Sequence, residues 1–203
     1  MIFVTHSLPV NVPGEPHLTP AMVWDGLILK ANNALPFVPS MTYCEVTQRH
    51  SDTVFDRDIA LSIGQGRGQR FTERITLEAP HRVTFTRIAG PVLGTIANEI
   101  IGSADDLALR FSFALVVVGV AGGSAAENDY AESMTGDYLK AVAATLGAMR
   151  RLAAESGVPA CAGRASTSSC GCASPSSWPG ISRATSSART TPSTTRRAWS
   201  GTP

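Results

Sequence analysis

Cysteine is nearly absent where a fold is expected. Of the four in the chain only Cys44 falls before residue 157; Cys161, Cys170 and Cys172 come after it. A single thiol cannot staple a domain, so this part is expected to fold without disulfides, in a reducing compartment such as the cytoplasm. Cys170 and Cys172 have too few ligating neighbours for a tetrahedral zinc site. Long apolar runs are also missing: nowhere do 18 apolar residues follow one another, so no membrane-spanning helix and no membrane insertion are expected. The opening residues Met1-Ile2-Phe3-Val4-Thr5-His6 lack the basic region and long apolar core of a secretory signal.

Acidic residues disappear after Glu155. Gly157 to Pro203 holds no Asp, Glu or Lys, only Arg164, Arg183, Arg189, Arg196 and Arg197 among Ser, Thr, Pro and Ala. Five of the 17 basic residues and none of the 16 acids thus lie in this tail, which leaves the first 156 residues with a net charge of −4. Such a domain has no global attraction for nucleic acid or anionic membrane. The tail has too few large apolar side chains to offset the entropy of ordering and is expected to be disordered. The tail reads either as a functional basic tail or, as the abrupt change in usage favours, as a GC-rich gene translated out of frame, and no function is placed there. The expected division is therefore a domain over 1–156 and a tail over 157–203.

Catalytic signatures are few. His6, His17, His50 and His81 make no HxxxH pair, there is no G-x-S-x-G, and Cys44 has no histidine in a nucleophile-like setting. No metal and no cofactor is expected. Gly64-Gln65-Gly66-Arg67-Gly68 resembles a phosphate loop but lies between two strand patterns, so it reads as a hairpin tip.

What is present is a change of period. Met1 to Asn11 begins β-prone and is ended by Pro9 and Pro13. Thr19-Pro20 is a helix start, and Val23, Leu27 and Ala31 follow at helical spacing until Asn32, Asn33 and Pro36. A second short helical turn is expected near Leu35 to Val38. From Thr42 the pattern alternates: Thr42–Arg49, Thr53–Leu61, Arg70–Leu77, Arg82–Ile88, Gly94–Ile101 and Leu107–Val118 read as strands. Their short connections predict antiparallel neighbours. Ala125 to Ala154 then carries Tyr130, Met134, Tyr138, Ala141, Val142, Thr145, Met149 and Leu152 on one face of a helix about 45 Å long. The expected fold is α+β: a curved antiparallel sheet of six or seven strands gripping a long C-terminal helix, with two short helices after the first strand.

Alternation also says which side chains face inward. Phe55, Arg57, Ile59 and Leu61 share a face, as do Phe71, Glu73, Ile75 and Leu77, and Val83, Phe85 and Arg87. Being apolar, these faces should be inner, and they carry Arg57, Glu73 and Arg87 with them. Hairpins centred near Gln65 and Pro80 set these three ions side by side in one row across three strands. The row is either a structural ladder or a device that orients a ligand: two Arg against one Glu leave positive charge for an anionic or carbonyl oxygen. Asn98 is a further polar point between Ile96 and Ile100, and Phe111 belongs to an apolar inner face. Trp24, Tyr130, Met134 and Tyr138 are candidates for the open end. The candidate ligand-binding set is therefore Arg57, Glu73, Arg87, Asn98, Trp24, Phe55, Phe71, Phe85, Phe111, Met134 and Tyr138.

The order strand, helices, six strands, long helix resembles the SRPBCC (START, helix-grip) superfamily, which includes plant pollen allergens and aromatic polyketide cyclases. Within it the chain is similar to the AtaL-like family. The residues that carry this are Phe3-Val4-Thr5-His6-Ser7, Leu27-Ile28-Leu29-Lys30-Ala31, His50-Ser51-Asp52 through Phe55-Asp56-Arg57, Glu73-Arg74-Ile75-Thr76-Leu77, Gly90-Pro91-Val92-Leu93-Gly94-Thr95-Ile96-Ala97-Asn98 and Tyr138-Leu139. The resemblance covers about residues 1 to 155. It implies a helix-grip fold and a link to secondary metabolism, and it brings no established catalytic set. Two functions follow as expectations. One is binding of a hydrophobic or amphipathic small molecule in an internal cavity. The other is a polyketide cyclase or dehydratase with Glu73 as general base or acid. A Glu clamped between two Arg is a weak base, which favours binding.

Overall fold

The computed structural model describes residues 1–62, 68–104 and 106–155. The expectations for the hairpin tip at 64–67 and for the tail at 157–203 with its three cysteines lie outside the described residues. Seven strands and two helices follow in the order β1 (Ile2–Pro9), α1 (Pro20–Asn32), β2 (Met41–Arg49), β3 (Val54–Leu61), β4 (Gln69–Glu78), β5 (Arg82–Ala89), β6 (Val92–Ile101), β7 (Ala108–Val117) and α2 (Ala125–Glu155). All pairings are antiparallel, and the sheet order is β1-β7-β6-β5-β4-β3-β2. The sheet stays open, with β1 and β2 at its edges, and α1 belongs to the crossover between those edges.

One expected element is absent. Residues 35–37 form a hydrogen-bonded turn, in which the amides of Phe37 and Val38 both bond to the carbonyl of Ala34, and not a second helix. Pro36 and Pro39 leave too few donors in this stretch to extend a helical ladder. The start of α1 is as its sequence dictates: Thr19 accepts from the Met22 amide and Pro20 takes the first helical position. Ser124 precedes α2 and its hydroxyl accepts the Glu127 amide, while the Glu127 carboxylate accepts from the Gly123 amide and the Met1 ammonium.

Helices and sheet meet along one apolar interior. Phe55, Ile59, Ile75, Val83, Leu109, Phe111 and Leu115 face it from the strands and are almost wholly buried. α1 presses Val23, Leu27 and Ala31 inward and meets α2 where Gly26 faces Met149; a Cβ at Gly26 would sit 2.7 Å from the Met149 Cγ. A position that demands glycine is Gly94 in β6. Its φ is +123°, and a Cβ there would lie 2.1 Å from the Ala114 carbonyl oxygen of β7. Gly94→Ala is therefore expected to cost about 3 kcal/mol or more, read as a lowered urea midpoint at unchanged slope.

Candidate functional site

The alternation of β3, β4 and β5 fixes the centre of the site. Arg57 pairs with Glu73, and Glu73 with Arg87, so the three ions form a row across adjacent strands. All three side chains are buried, each 3% exposed. Arg57 donates to one Glu73 oxygen from Nε at 3.0 Å and from Nη2 at 2.8 Å. Arg87 Nε approaches the other oxygen at 3.5 Å.

Arg57 has a second task. Its Nη1 donates to the carbonyls of Lys30 and Ala31, each at 2.8 Å. These belong to the last turn of α1, where carbonyls have no partner within the helix. A guanidinium here both satisfies them and meets the negative end of the helix dipole. Arg57 is thus saturated by a carboxylate and a helix end. Arg87 is not: it rests over the Phe71 ring at 4.3 Å and favours the ionised form of the Tyr138 phenol.

Two further polar side chains enter the same space. Asn98 of β6 is fully buried, and its Oδ1 accepts a hydrogen bond from Lys30 Nζ at 2.9 Å. Lys30 is buried too, with its ammonium 5.8 Å from the centre of the Phe85 ring and 5.2 Å from that of Phe111. Burial first, and then the charge of Arg57, bring its pKa down from 10.5 to about 7, with Glu73 opposing the shift. On α2, Tyr138 stacks on Phe113 with ring centres 4.1 Å apart, and burial pushes its phenol pKa up.

These groups line a cavity of about 110 Å³ between the sheet and α2. Eight of the eleven sequence candidates line it: Arg57, Glu73, Arg87, Asn98, Phe85, Phe111, Met134 and Tyr138. Trp24, Phe55 and Phe71 do not. Phe55 is buried under the ring contact with Arg49, and Phe71 lies beneath Arg87. Trp24 stands beside the buried stripe of α1 and only half faces the interior. Phe55 and Phe71 point inward, but the inner surface is larger than the cavity, and the rest of it is filled by side chains. Tyr130, expected at the open end, lines the cavity as well. Lys30, Asp137, Val142 and Phe113 also line it and were not singled out from the sequence as site residues. For Lys30 a signal existed: it lies seven residues after Val23 and three after Leu27, on the helical stripe that faces the core. Among the described residues no group of three His, Cys, Asp or Glu is placed to hold a metal, and no helix is long and apolar enough to cross a membrane.

Residues 4–156 match the family model for AtaL, described as acetylaranotin biosynthesis cluster protein L. The chain belongs to the AtaL family. No curated protein matches it. Solved structures similar to this AtaL-family chain share its fold at low identity. TTHA0849 from Thermus thermophilus aligns at TM-score 0.57 and 13% identity, over 75% of this chain and 97% of that one. A START superfamily protein from Mycobacterium smegmatis aligns at TM-score 0.55 and 16% identity, over 74% and 98%. The di-domain ARO/CYC StfQ from the steffimycin biosynthetic pathway aligns at TM-score 0.58 and 10% identity; 77% of this chain covers 52% of StfQ, about half its length. The AtaL-family chain therefore has the helix-grip fold of START-like proteins.

Two outcomes follow from the geometry. Arg57→Met strips Glu73 of its short partners and reopens the end of α1, so a loss of about 3–5 kcal/mol is expected by chemical denaturation. Arg87→Met, which removes one long contact, is expected to cost clearly less. Lys30 gives a pH signature. Its folded pKa of about 7 lies below the unfolded 10.5, so the unfolded chain holds the extra proton between those values. The penalty for burying the charge is complete below the lower value and gone above the upper one. Lys30→Met should therefore gain on the wild type at low pH, and that gain should shrink by about 4 kcal/mol between about pH 6 and pH 10. Parallel thermal melts of both proteins at the two pH values measure it.

Proposed function

We propose that the chain binds a hydrophobic or amphipathic small molecule in the cavity between the sheet and α2, and that residues 1–156 are the unit that does so. The observation that carries this reading is the cavity itself: an apolar wall of Phe85, Phe111, Phe113, Met134 and Val142 interrupted by one cluster of buried polar groups. An apolar body would displace little bound water there, while the polar cluster would fix its orientation. An apolar hole of about 150 Å³ takes up benzene, so a space of about 110 Å³ holds one ring at most without the walls giving way. The family's link to an acetylaranotin biosynthesis cluster, and the biosynthetic pathways of StfQ and of the similar ARO/CYC BexL from the BE-7585A pathway, support a ligand from secondary metabolism.

A cyclase or dehydratase reaction in the same cavity is the second reading. It needs a base with a free lone pair in reach of a substrate. Both Glu73 oxygens face guanidinium groups, which supports binding over turnover by this residue. A ligand recovered unchanged after incubation fits a carrier, whereas turnover lost in Glu73→Gln fits an enzyme.

The test is to fill the hole. Met134→Trp places a ring in the cavity from the α2 side. Wild-type protein should gain several degrees in Tm from one-ring aromatic ligands and hold them in native mass spectra. The variant should fold with similar stability and show neither response. Binding that survives the substitution undiminished would remove the cavity from the mechanism.

A further inference from the structure

The polar cluster is lopsided. Its acceptors are used: Glu73 by Arg57 and Arg87, the α1 carbonyls by Arg57, and Asn98 Oδ1 by Lys30. Its donors are not. Asn98 Nδ2 is buried and has no hydrogen-bond partner, and the Lys30–Asn98 contact fixes which way the amide points, because only the oxygen can accept from an ammonium. A lysine ammonium has three N–H groups, and Asn98 takes one of them. The others face aromatic rings, and Lys30 and Asn98 both line the cavity. A buried donor without an acceptor costs about 1–3 kcal/mol, so the cavity is built for something that brings an acceptor.

Charge points the same way. The ionisable groups that face this corner are Arg57 on β3, Glu73 on β4 and Arg87 on β5, with Tyr130, Asp137 and Tyr138 across from them on α2. Glu73 balances one of the two arginines. Asp137 is turned to Lys140, 3.5 Å away on the outside of α2. The enclosed cluster therefore carries one positive charge beyond Glu73 with Lys30 neutral, and two when Lys30 is protonated.

We propose that Lys30 and Asn98 form the seat for an acidic oxygen of the ligand, a carboxylate or an ionised phenol or enol, carried on an apolar body of about one ring. This rests on the cavity reading above. The oxyanion accepts from Lys30 Nζ and Asn98 Nδ2 and gives the buried lysine the counter-charge that it lacks. Binding is then coupled to proton uptake. In the empty cavity Lys30 loses its proton at about pH 7, and an adjacent anion holds it on to higher pH. Affinity for the acid is therefore highest below that value and falls as pH rises above it.

The experiment uses the full chain and two probes of one shape, 4-methylbenzoate and 4-methylbenzamide, titrated by ligand-observed NMR from about pH 6 to pH 9. The benzoate is expected to bind about ten-fold or more tighter than the amide at the low end, and its Kd to rise by up to about ten-fold per pH unit above 7. The amide's Kd should stay flat. Lys30→Met should erase the pH dependence of the benzoate's Kd and most of its advantage over the amide. A third probe, 4-nitrophenol, reports its own ionisation by absorbance: a bound nitrophenolate band below its solution titration assigns the seat to phenols as well, and its absence restricts it to carboxylates. Equal affinity of benzoate and benzamide in the wild type overturns the seat and leaves the cavity reading standing. A benzoate preference that survives Lys30→Met undiminished, with its pH dependence intact, also overturns it. Failure of both benzoyl probes to bind removes the cavity reading and this inference together. The wild-type pH profile decides the matter even if Lys30→Met does not fold.

Discussion

One guanidinium ties the two layers of this protein together. Arg57 projects from the middle of β3, grips Glu73 on the neighbouring strand, and closes the last turn of α1 with the same planar group. Each of these contacts would be costly to leave open in the interior, and one side chain answers all of them. Lysine would not serve: a point charge cannot meet a carboxylate and two carbonyls in different directions at fixed geometry. The contact also sets where α1 ends. With Lys30 and Ala31 held by their carbonyls, the Lys30 side chain is delivered to Asn98 across the interior. The polar corner of the cavity is thus a consequence of how the helix is anchored.

Most of the sheet was legible because its period is two and its turns are short. The Glu78-Ala79-Pro80-His81 turn and the alternation on either side of it leave one register for β4 and β5, and that register puts Glu73 beside Arg87. The same logic placed Arg57 opposite Glu73. Alternation says only that a side chain points inward, and there it stops. Whether the space it enters is packed or empty depends on which helix lies above. Phe55 and Phe71 share faces with Arg57 and Glu73, but neighbouring side chains fill the space around them. Lys30 was passed over for the opposite reason. A lysine near a helix end is usually a solvated residue that favours the dipole, and only the stripe position betrays this one as buried. Its partner, Asn98, lies 68 residues away, so no local pattern joins the two.

Burying four formal charges or potential charges in so small a core is expensive, and the geometry shows how unevenly the expense is met. The Arg57–Glu73 pair has short bonds on both sides and a helix end behind it. Lys30 has one neutral acceptor, two ring faces, and the repulsion of Arg57. Ring faces attract an ammonium by about 0.5–2 kcal/mol, well short of the several kcal/mol lost when it leaves water. The first group is a structural joint that holds without a ligand. The second gains most when another acceptor arrives. A saturated joint and an under-satisfied cation thus stand side by side, the first across β3 and β4 and the second between α1 and β6.

The opposite wall has a matching division. α2 is pinned at its start through Glu127 to the Gly123 amide and the Met1 ammonium, and near its end by Met149 packed against Gly26 of α1. Between these anchors, the stretch from Tyr130 to Ala141 presents Tyr130, Met134 and Tyr138 to the cavity, while Glu132, Gly136, Leu139 and Lys140 of the same stretch are exposed. Of this stretch only Met134 is fully buried, whereas Val142, Thr145, Leu146, Ala148 and Met149 all are in the turns that follow. The contact area that holds the helix down is thus concentrated away from the cavity. Along α2, displacing the Tyr130–Ala141 stretch would uncover less buried apolar surface than displacing the turns from Val142 to Met149. Lys30 and Asn98 belong to α1 and β6, so such a displacement would enlarge the cavity without moving its polar corner.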